Sequence, residues 1–537
     1  MREDIRKTTS LCPECRAIIP ATIFAQDGKV FIEKSCPKHG KFEALYWGSY
    51  KMYKRAKKFA ADGRGLENPN VTENIKCPFS CGLCKLHQTN SSLVNVVLTN
   101  RCDLNCWYCF FFAEKAGYVY EPTRQQIREM LQKVREEKPV PGNAVQLTGG
   151  EPTLREDMLD IVQDIKKLGF EHVQLNTDGI NMALDPRLAA RCRHAGVNTL
   201  YLSFDGVSPK TNPKNHWEIP RVLDNCREAG LGIVLVPTVI NSVNDHEAGD
   251  ILRFGFENLD IIRAVNYQPV SLVGKMPRSE RNRYRITIPD LIARIEQQTN
   301  AQVTSEDFFP VPTAVPIAQF VEHLRNKPQY ELSAHFACGM ATYVFKEGSK
   351  MTPITRFLDV EGFVEFLNEQ KNELSNGKSK YVIGAKSLFK FKSLIDPKKA
   401  PKGINFTKLL FDVLVKHDYT TLSHFHHKSL FIGMMHFMDL YNYDIQRVQR
   451  CAIHYVTPDK AHPIVPFCAF NVLPEDYRDK IQKQFGMSIK KWERSQKRKL
   501  KDELYKRDIP KLRDELYYKT YASFQNGDIS QDATQKA

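Results

Sequence analysis

From residue 93 to about residue 270 the chain alternates short apolar runs with amphipathic ones. "LVNVVLTN", "AVQLTGG", "HVQLNTDG", "TLYLSFDG", "GIVLVPTVI" and "IIRAVNYQPV" read as strands, and "REMLQKVREE", "DMLDIVQDIKKLG", "RLAARCRHAG", "IPRVLDNCREAG" and "AGDILRFGFEN" read as the helices between them. Such alternation demands a parallel sheet joined by right-handed crossovers. About six βα units predict an α/β fold of the open (β/α)6 barrel type, short of the eight that close a TIM barrel. Four strands end in polar or Gly-rich turns, TGGEP, NTDG, SFDG and VPT. Strand C-terminal ends carry the sites of such folds, so these turns are expected around one mouth.

The other segments differ in texture. Residues 1–50 hold "CPEC" and "SCPKHG" among short alternating strands, a small metal-pinned ribbon. Residues 51–94 form a charged linker ending in "CPFSCGLCKLH". The βα series is assigned to 95–280, a C-terminal α+β domain to 281–485, and a basic helix broken at Pro510 with a disordered polar tail to 486–537. No apolar run approaches the roughly 18–20 residues that span a bilayer, and MREDIRKTTS lacks a signal-peptide apolar region, so a cytoplasmic protein is expected. The formal charge of +15 would suit nucleic acid, anionic headgroups or another anionic ligand without choosing among them.

Fourteen cysteines in a reducing compartment, clustered at ligand spacings, point to metal and not to disulfides. Cys12, Cys15, Cys36 and His39 form a complete four-ligand set, compatible with a zinc ribbon or a rubredoxin-type mononuclear iron. Cys102, Cys106 and Cys109, spaced C-x3-C-x2-C just after the first strand, offer only three ligands. They can hold three irons of a [4Fe–4S] cube with the fourth iron open, or a structural zinc completed from afar. Cys192 and Cys226 fall inside helices and read as small buried hydrophobes. His417, His424, His426 and His427 read as a polar loop beside the core.

The triplet, Tyr108 just before its last cysteine, and "GGEP" (Gly149 to Pro152) one βα unit later resemble the radical S-adenosylmethionine (SAM) superfamily over about residues 95–270. The resemblance implies that SAM chelates the open iron, and that one-electron reduction by a donor such as ferredoxin or flavodoxin releases a 5′-deoxyadenosyl radical that removes hydrogen from an unactivated carbon. It implies that Gly149 and Gly150 admit the methionyl amino group and that Glu151 accepts from it. Asn176, Thr177, Ser203 and Asp205 would hydrogen-bond the ribose and methionyl carboxylate, while Pro237, Thr238, Val239 and Tyr108 would lie against the adenine. Cys77, Cys81 and Cys84, with His87 as fourth ligand, and Cys338, Cys451 and Cys468 are then expected to hold one or two auxiliary [4Fe–4S] clusters.

Beyond the barrel, "CPEC…CPKHG", "CPFSCGLCKLH", "NYQPVSLVGK" and "FIGMMHFMDLYNYDIQRVQRCAIHY…PFCAFN" resemble archaeal tetraether lipid synthases from about residue 10 to 475. This implies carbon–carbon coupling of isoprenoid chains, an archaeal ether phospholipid as substrate, and placement at the inner membrane surface, with no nucleic acid. Met434, Met435, Phe437 and Met438 could line an acyl tunnel, although core packing explains them as well. The alternative is a radical SAM C-methylase of a pterin, which requires a flat, compact, polar pocket in place of a long apolar tunnel. A more distant alternative is a zinc-ribbon nucleic-acid-binding protein, which leaves GGEP and the triplets unexplained.

Overall fold

The computed structural model describes residues 1–524 apart from 112, 417–424 and 426, and apart from the side chain of Arg278. The loop containing His417, His424 and His426 and the polar tail from 525 thus lie outside the described residues.

The N-terminal unit is an antiparallel meander of β1 (Glu3–Leu11), β2 (Ile18–Gln26), β3 (Lys29–Cys36) and β4 (Gly40–Trp47). Alternation places Ile23, Val30 and Ile32 inside, where they pack with Trp47 and with Tyr53 of α1 (Tyr50–Lys57) against the main body. The ribbon is therefore docked onto the rest of the molecule. Buried Asp444 fixes it there by accepting from Arg6, from Tyr46 Oη (2.8 Å) and from Thr8 Oγ1 (2.8 Å).

The main sheet is built from β5 (Leu93–Thr99), β6 (Ala144–Gly149), β7 (His172–Thr177), β8 (Thr199–Ser203), β9 (Ile233–Val236), β10 (Ile262–Pro269), β11 (Gly339–Glu347), β12 (Ser429–Met435), β13 (Ile453–Val456) and β14 (Ile464–Pro466). Its order is β11-β12-β10-β9-β8-β7-β6-β5-β13-β14 within a 13-stranded sheet. Every ladder from β12 to β13 is parallel, and the outer pairs β11/β12 and β13/β14 are antiparallel. Crossover helices follow the expected amphipathic pattern. In α2 (Arg124–Arg135), Ile127, Met130, Leu131 and Val134 form the buried stripe, and Thr123 and Gln126 make a capping box.

The expected six strands are thus present, but residues 429–435 and 453–456 extend the parallel run at both ends. Residue 280 is not a boundary of the sheet, because the C-terminal region supplies its flanks. A separate apolar cluster does form under helices Val315–Arg325, Val360–Ser375 and Lys380–Ser393.

Period-two alternation puts Leu93 and Asn95, Ala144 and Gln146, and Gln174 and Asn176 on one face of adjacent strands. Asn95, Gln146 and Asn176 line a cavity of about 230 Å³ toward the strand C-termini, and Leu93, Ala144 and Gln174 line a second one of about 260 Å³ toward their N-termini. The two cavities follow one another along the same face, and Phe437 borders both.

Candidate functional site

Cys102, Cys106 and Cys109 lie on the loop after β5 and all three line the upper cavity. The GGEP turn at the end of β6 props that loop. Gly150 N donates to Thr99 O (2.8 Å) and Glu151 N to Arg101 O (2.7 Å). A Cβ on Gly149 would strike Thr99 O and one on Gly150 would strike Arg101 O, and Gly149 also has a φ of +141°. The glycines are needed for backbone to meet backbone beside the first cysteine, a role the sequence reading had given to the methionyl amino group.

Glu151 also differs from expectation. Its carboxylate is 1% exposed and accepts from Thr153 N and Oγ1 (3.0 and 2.6 Å), Thr177 Oγ1 (2.8 Å) and Asp178 N (2.9 Å). Burial, then the Asp178 charge, pushes it up to about 8. It ties two strand-end turns together, and Thr177 is occupied by it. The acceptor left over is Asp178, which lines the cavity with its Oδ2 buried and unpartnered. Asp178 lay inside the quoted NTDG turn, but its side chain carried no separate signal. Asp103 adjoins this acidic group, and burial, then Glu151, raises it to about 6.

Asn176 and Ser203 line the cavity. Asp205 does not. It accepts from Tyr108 Oη, from Thr238 N (2.9 Å) and from Lys214 Nζ (2.8 Å), so it anchors Tyr108 at the wall and is no free ribose partner. Lys214 was not singled out in the sequence. Burial alone would lower its pKa, but Asp205 and then Cys106 outweigh that and raise it. On the next strand the wall is made by Val236 and Thr238. Pro237 and Val239 are buried outside it, Val239 within the core, because alternation selects the other parity. Phe110 and Phe111 also line the cavity.

In the ribbon, Cys12 Sγ and Cys36 Sγ lie 3.6 and 3.5 Å from His39 Nδ1, and Cys15 Sγ lies 3.8 Å from Cys36 Sγ. Four ligands about 2.1–2.3 Å from one ion stand about 3.8 Å apart in a tetrahedron, so this set is already closed to the size of a single metal ion. Burial works against ionisation of Cys36, yet hydrogen bonds from His39 and the backbone bring its thiol down to about 6. Among the described residues, none of the three remaining cysteine triplets draws its sulfurs together within 4.8 Å. Their wider spread suits a polynuclear cluster.

Cys338, Cys451 and Cys468 all line the lower cavity. Cys77, Cys81 and Cys84 lie on the segment before β5, with Cys81 N held by Tyr477 Oη (3.0 Å). His87, expected to complete that set, has its Nε2 against Cys451 O (2.8 Å) and His454 Nε2 (3.1 Å), so that nitrogen is not available to it.

The C-terminal basic segment is not one solvated helix. It forms short helices at Ile489–Gln496, Ile509–Leu512 and Glu515–Thr520. Residues 492–505 strap the cysteine loop, while the later two helices lie against His216 and Arg221. Buried Glu503 pairs with Arg101, Trp492 lies under the Arg101 guanidinium (4.9 Å), and Tyr505 N donates to Asp103 O (2.9 Å). Its sequence suited anionic headgroups, and most of its Lys and Arg side chains are exposed, but Trp492 and Glu503 turn inward onto Arg101. Among the described residues no helix is long and apolar enough to cross a membrane.

Comparison with known proteins fits this geometry. The radical SAM superfamily model matches residues 96–255, and that of the HMPTM N-terminal zinc ribbon domain matches residues 4–48. The 7,8-dihydro-6-hydroxymethylpterin dimethyltransferase of Methanocaldococcus jannaschii is 44% identical over 505 residues, covering 92% of this chain and 98% of the relative. The GTP 3′,8-cyclase of Aquifex aeolicus is 32% identical over 191 residues, 34% of this chain and 58% of that protein. Among solved structures, the hydrogenase maturase HydG is similar over 40% of this chain and 51% of its own, at 15% identity and a TM-score of 0.30.

A [4Fe–4S] cluster with SAM and further bound metal follow from the matched domains and the thiol sets. SAM and an electron donor are accordingly its partners. The expectation of a lipid-coupling synthase resembling the tetraether enzymes is corrected by the near full-length relative, which bears the name of a pterin dimethyltransferase, and the expected ether phospholipid and membrane surface lose their support with it. That name agrees with the alternative reading.

Proposed function

We infer the chemistry of this chain from a premise: it belongs to the radical SAM superfamily and, within it, to the family of the archaeal pterin dimethyltransferase of M. jannaschii. The chain is a radical SAM C-methyltransferase whose substrate is a reduced pterin of the 6-hydroxymethyl type. The observation that carries this reading is 44% identity sustained across 92% of the chain.

The upper cavity supports it. Its wall combines carboxamides with aromatic rings. Among the described residues, the side chains of Gln146 and Gln268 make no hydrogen bond within the protein and so remain free to pair with a ligand. A carboxamide matches the alternating donors and acceptors of a pyrimidinone edge. Phe437 and Phe467, stacked with centroids 3.8 Å apart, add an apolar surface to the same wall. An isoprenoid chain would need a far longer apolar channel.

When bound, a [4Fe–4S] cluster with SAM supplies one-electron sulfonium cleavage and a carbon radical able to take hydrogen from an unactivated C–H bond. Cys102, Cys106 and Cys109 would hold the cluster, on a loop fixed by Gly149, Gly150 and Glu503. Asp178 Oδ2 would accept from the methionyl ammonium, while Asn176 and Ser203 would orient the nucleoside. Lys214 and Asp205 hold Tyr108 in the wall, and the aromatic face excludes water from the reacting carbon. Cys77, Cys81 and Cys84, and separately Cys338, Cys451 and Cys468, would hold auxiliary clusters, while Cys12, Cys15, Cys36 and His39 would hold a structural ion.

The test is anaerobic incubation of reconstituted protein with 7,8-dihydro-6-hydroxymethylpterin, a low-potential reductant and SAM in excess, with and without a tetrahydropterin one-carbon carrier, followed by mass spectrometry. The SAM cleaved to 5′-deoxyadenosine leaves its methyl on methionine, so each methyl transferred comes from a second SAM or from the carrier. The expected product gains one or two methyl groups. Formation of 5′-deoxyadenosine with the pterin recovered unchanged would refute the assignment.

A further inference from the structure

The lower cavity is built on three cysteines from distant parts of the chain, Cys338 before β11, Cys451 before β13 and Cys468 after β14. One further side chain at this cavity has no explanation in the fold. His436 follows β12, is 1% exposed, and neither of its ring nitrogens has a hydrogen-bond partner. Desolvating two imidazole nitrogens without compensation is costly, and buried polar atoms in folded proteins are nearly always paired.

Register places His436 opposite Cys338. Gly339 pairs with Met435 across the antiparallel β11/β12 ladder, and His436 N donates to Cys338 O at 2.9 Å. Residues opposed across such a ladder project to the same face. Cys338 and His436 accordingly both border the lower cavity.

Arg447 is a second indication that the cavity is shaped for an anionic group. Its guanidinium is 1% exposed and donates from Nε to Cys338 Sγ (3.2 Å) and from Nη2 to His436 O (2.6 Å), while Nη1 is left without a partner. A buried cation with an idle N–H beside three thiols matches a group that carries thiolate charge. The segment before β5 differs, since the candidate ring there, His87, has its Nε2 engaged.

We propose that His436 is the fourth protein ligand of the iron–sulfur cluster held by Cys338, Cys451 and Cys468, with Arg447 as its counter-cation. The proposal rests on the reading that those three cysteines hold a cluster. It assigns this centre a Cys3His donor set, coordinatively complete on its protein side, in contrast to the open centre at Cys102, Cys106 and Cys109. Imidazole in place of a thiolate raises a cluster's reduction potential.

The experiment uses the full-length chain carrying Cys102→Ala, Cys106→Ala and Cys109→Ala, reconstituted anaerobically with iron and sulfide, reduced, and examined by pulsed electron paramagnetic resonance. A hyperfine coupling from a directly bound imidazole nitrogen is expected. It should shift with isotope-labelled histidine, vanish in His436→Ala, and vanish in His436→Cys with the iron content retained. Absence of the coupling in the parent chain, or its survival in His436→Ala, overturns the ligand assignment while leaving the cluster reading intact. Iron content unchanged by adding Cys451→Ser to the parent overturns the cluster reading and the ligand with it. Should His436→Ala not fold, judged by circular dichroism and retention of the ribbon metal, His436→Cys decides alone.

Discussion

The ribbon site and the strand-end site are both made of cysteines on short loops, yet they are held in opposite ways. In the ribbon, two turns of one small meander bring four donors within 4.8 Å of one another, three of the pairs at 3.5–3.8 Å, a complete shell drawn from residues 12–39. At the strand ends, three thiols stay apart around a cavity. Their loop is fixed by the glycines after β6, the Lys214–Asp205 pair and Glu503 from near the C-terminus. A saturated structural ion needs only its own hairpins. An open reactive centre cannot draw its rigidity from a closed shell, so the whole fold must supply it.

The sharpest break of this comparison is a pair of substitutions. Cys106→Ala should abolish 5′-deoxyadenosine formation altogether, whereas Cys36→Ser should release one equivalent of metal and lower thermal stability while the cluster absorbance persists. Loss of cluster absorbance in Cys36→Ser would show that the two sites are not independent. Elemental analysis of the released ion would identify zinc or iron.

Lys214→Met comes next. It strands a buried carboxylate, and breaking such a pair costs about 3–5 kcal/mol, to be read from denaturant midpoints together with slower SAM cleavage. Gly150→Ala should cost about 1–3 kcal/mol by overpacking and reduce iron retained after reconstitution, because the new Cβ meets the Arg101 carbonyl. Equal iron retention with unchanged stability would remove the glycines from the scaffold of the open site.

The last is a pH dependence away from both centres, small within any one pH unit. Glu137 accepts from Ser91 N and Oγ at the foot of β5, and burial raises it from 4.5 to about 7. A raised carboxylate binds its proton more tightly when folded, so stability should fall as pH rises from about 4.5 to 7, by at most about 1.4 kcal/mol per pH unit. Glu137→Gln should flatten that slope, and an unchanged slope would assign it to other groups.

Much of the upper site was legible because it is written in local spacing. The cysteine triplet, GGEP and the strand-end turns each occupy a few consecutive residues, and βα alternation places them at one end of a sheet. What escaped was non-local or a matter of parity. Nothing local in "SLFIGMM" or "IHYV" says that they will pair with β10 and β5, so the parallel run was expected to stop near residue 280. Of Pro237, Thr238 and Val239 only Thr238 reaches the wall, with Val236 in place of its neighbours, because a strand reverses its faces at every residue. Lys214 and His436 carried no motif, and His436 sits in a methionine-rich run that reads as core. His87 looked like a ligand by its distance from Cys84 alone, while its actual partner is the Cys451 carbonyl.

The late arrival of β13 bears on how the molecule is made. Strand β5, which opens the cysteine loop, obtains its second neighbour only from residues 453–456, and the strap that pins Arg101 comes later still. During synthesis the edge of β5 and the loop behind it therefore stay uncovered until nearly the whole polypeptide has emerged, a contact pattern that slows folding and exposes a strand edge to other chains. The centre that must end up shielded from water and oxygen is among the last parts of the protein to be sealed, leaving an interval in which iron and sulfide can reach it.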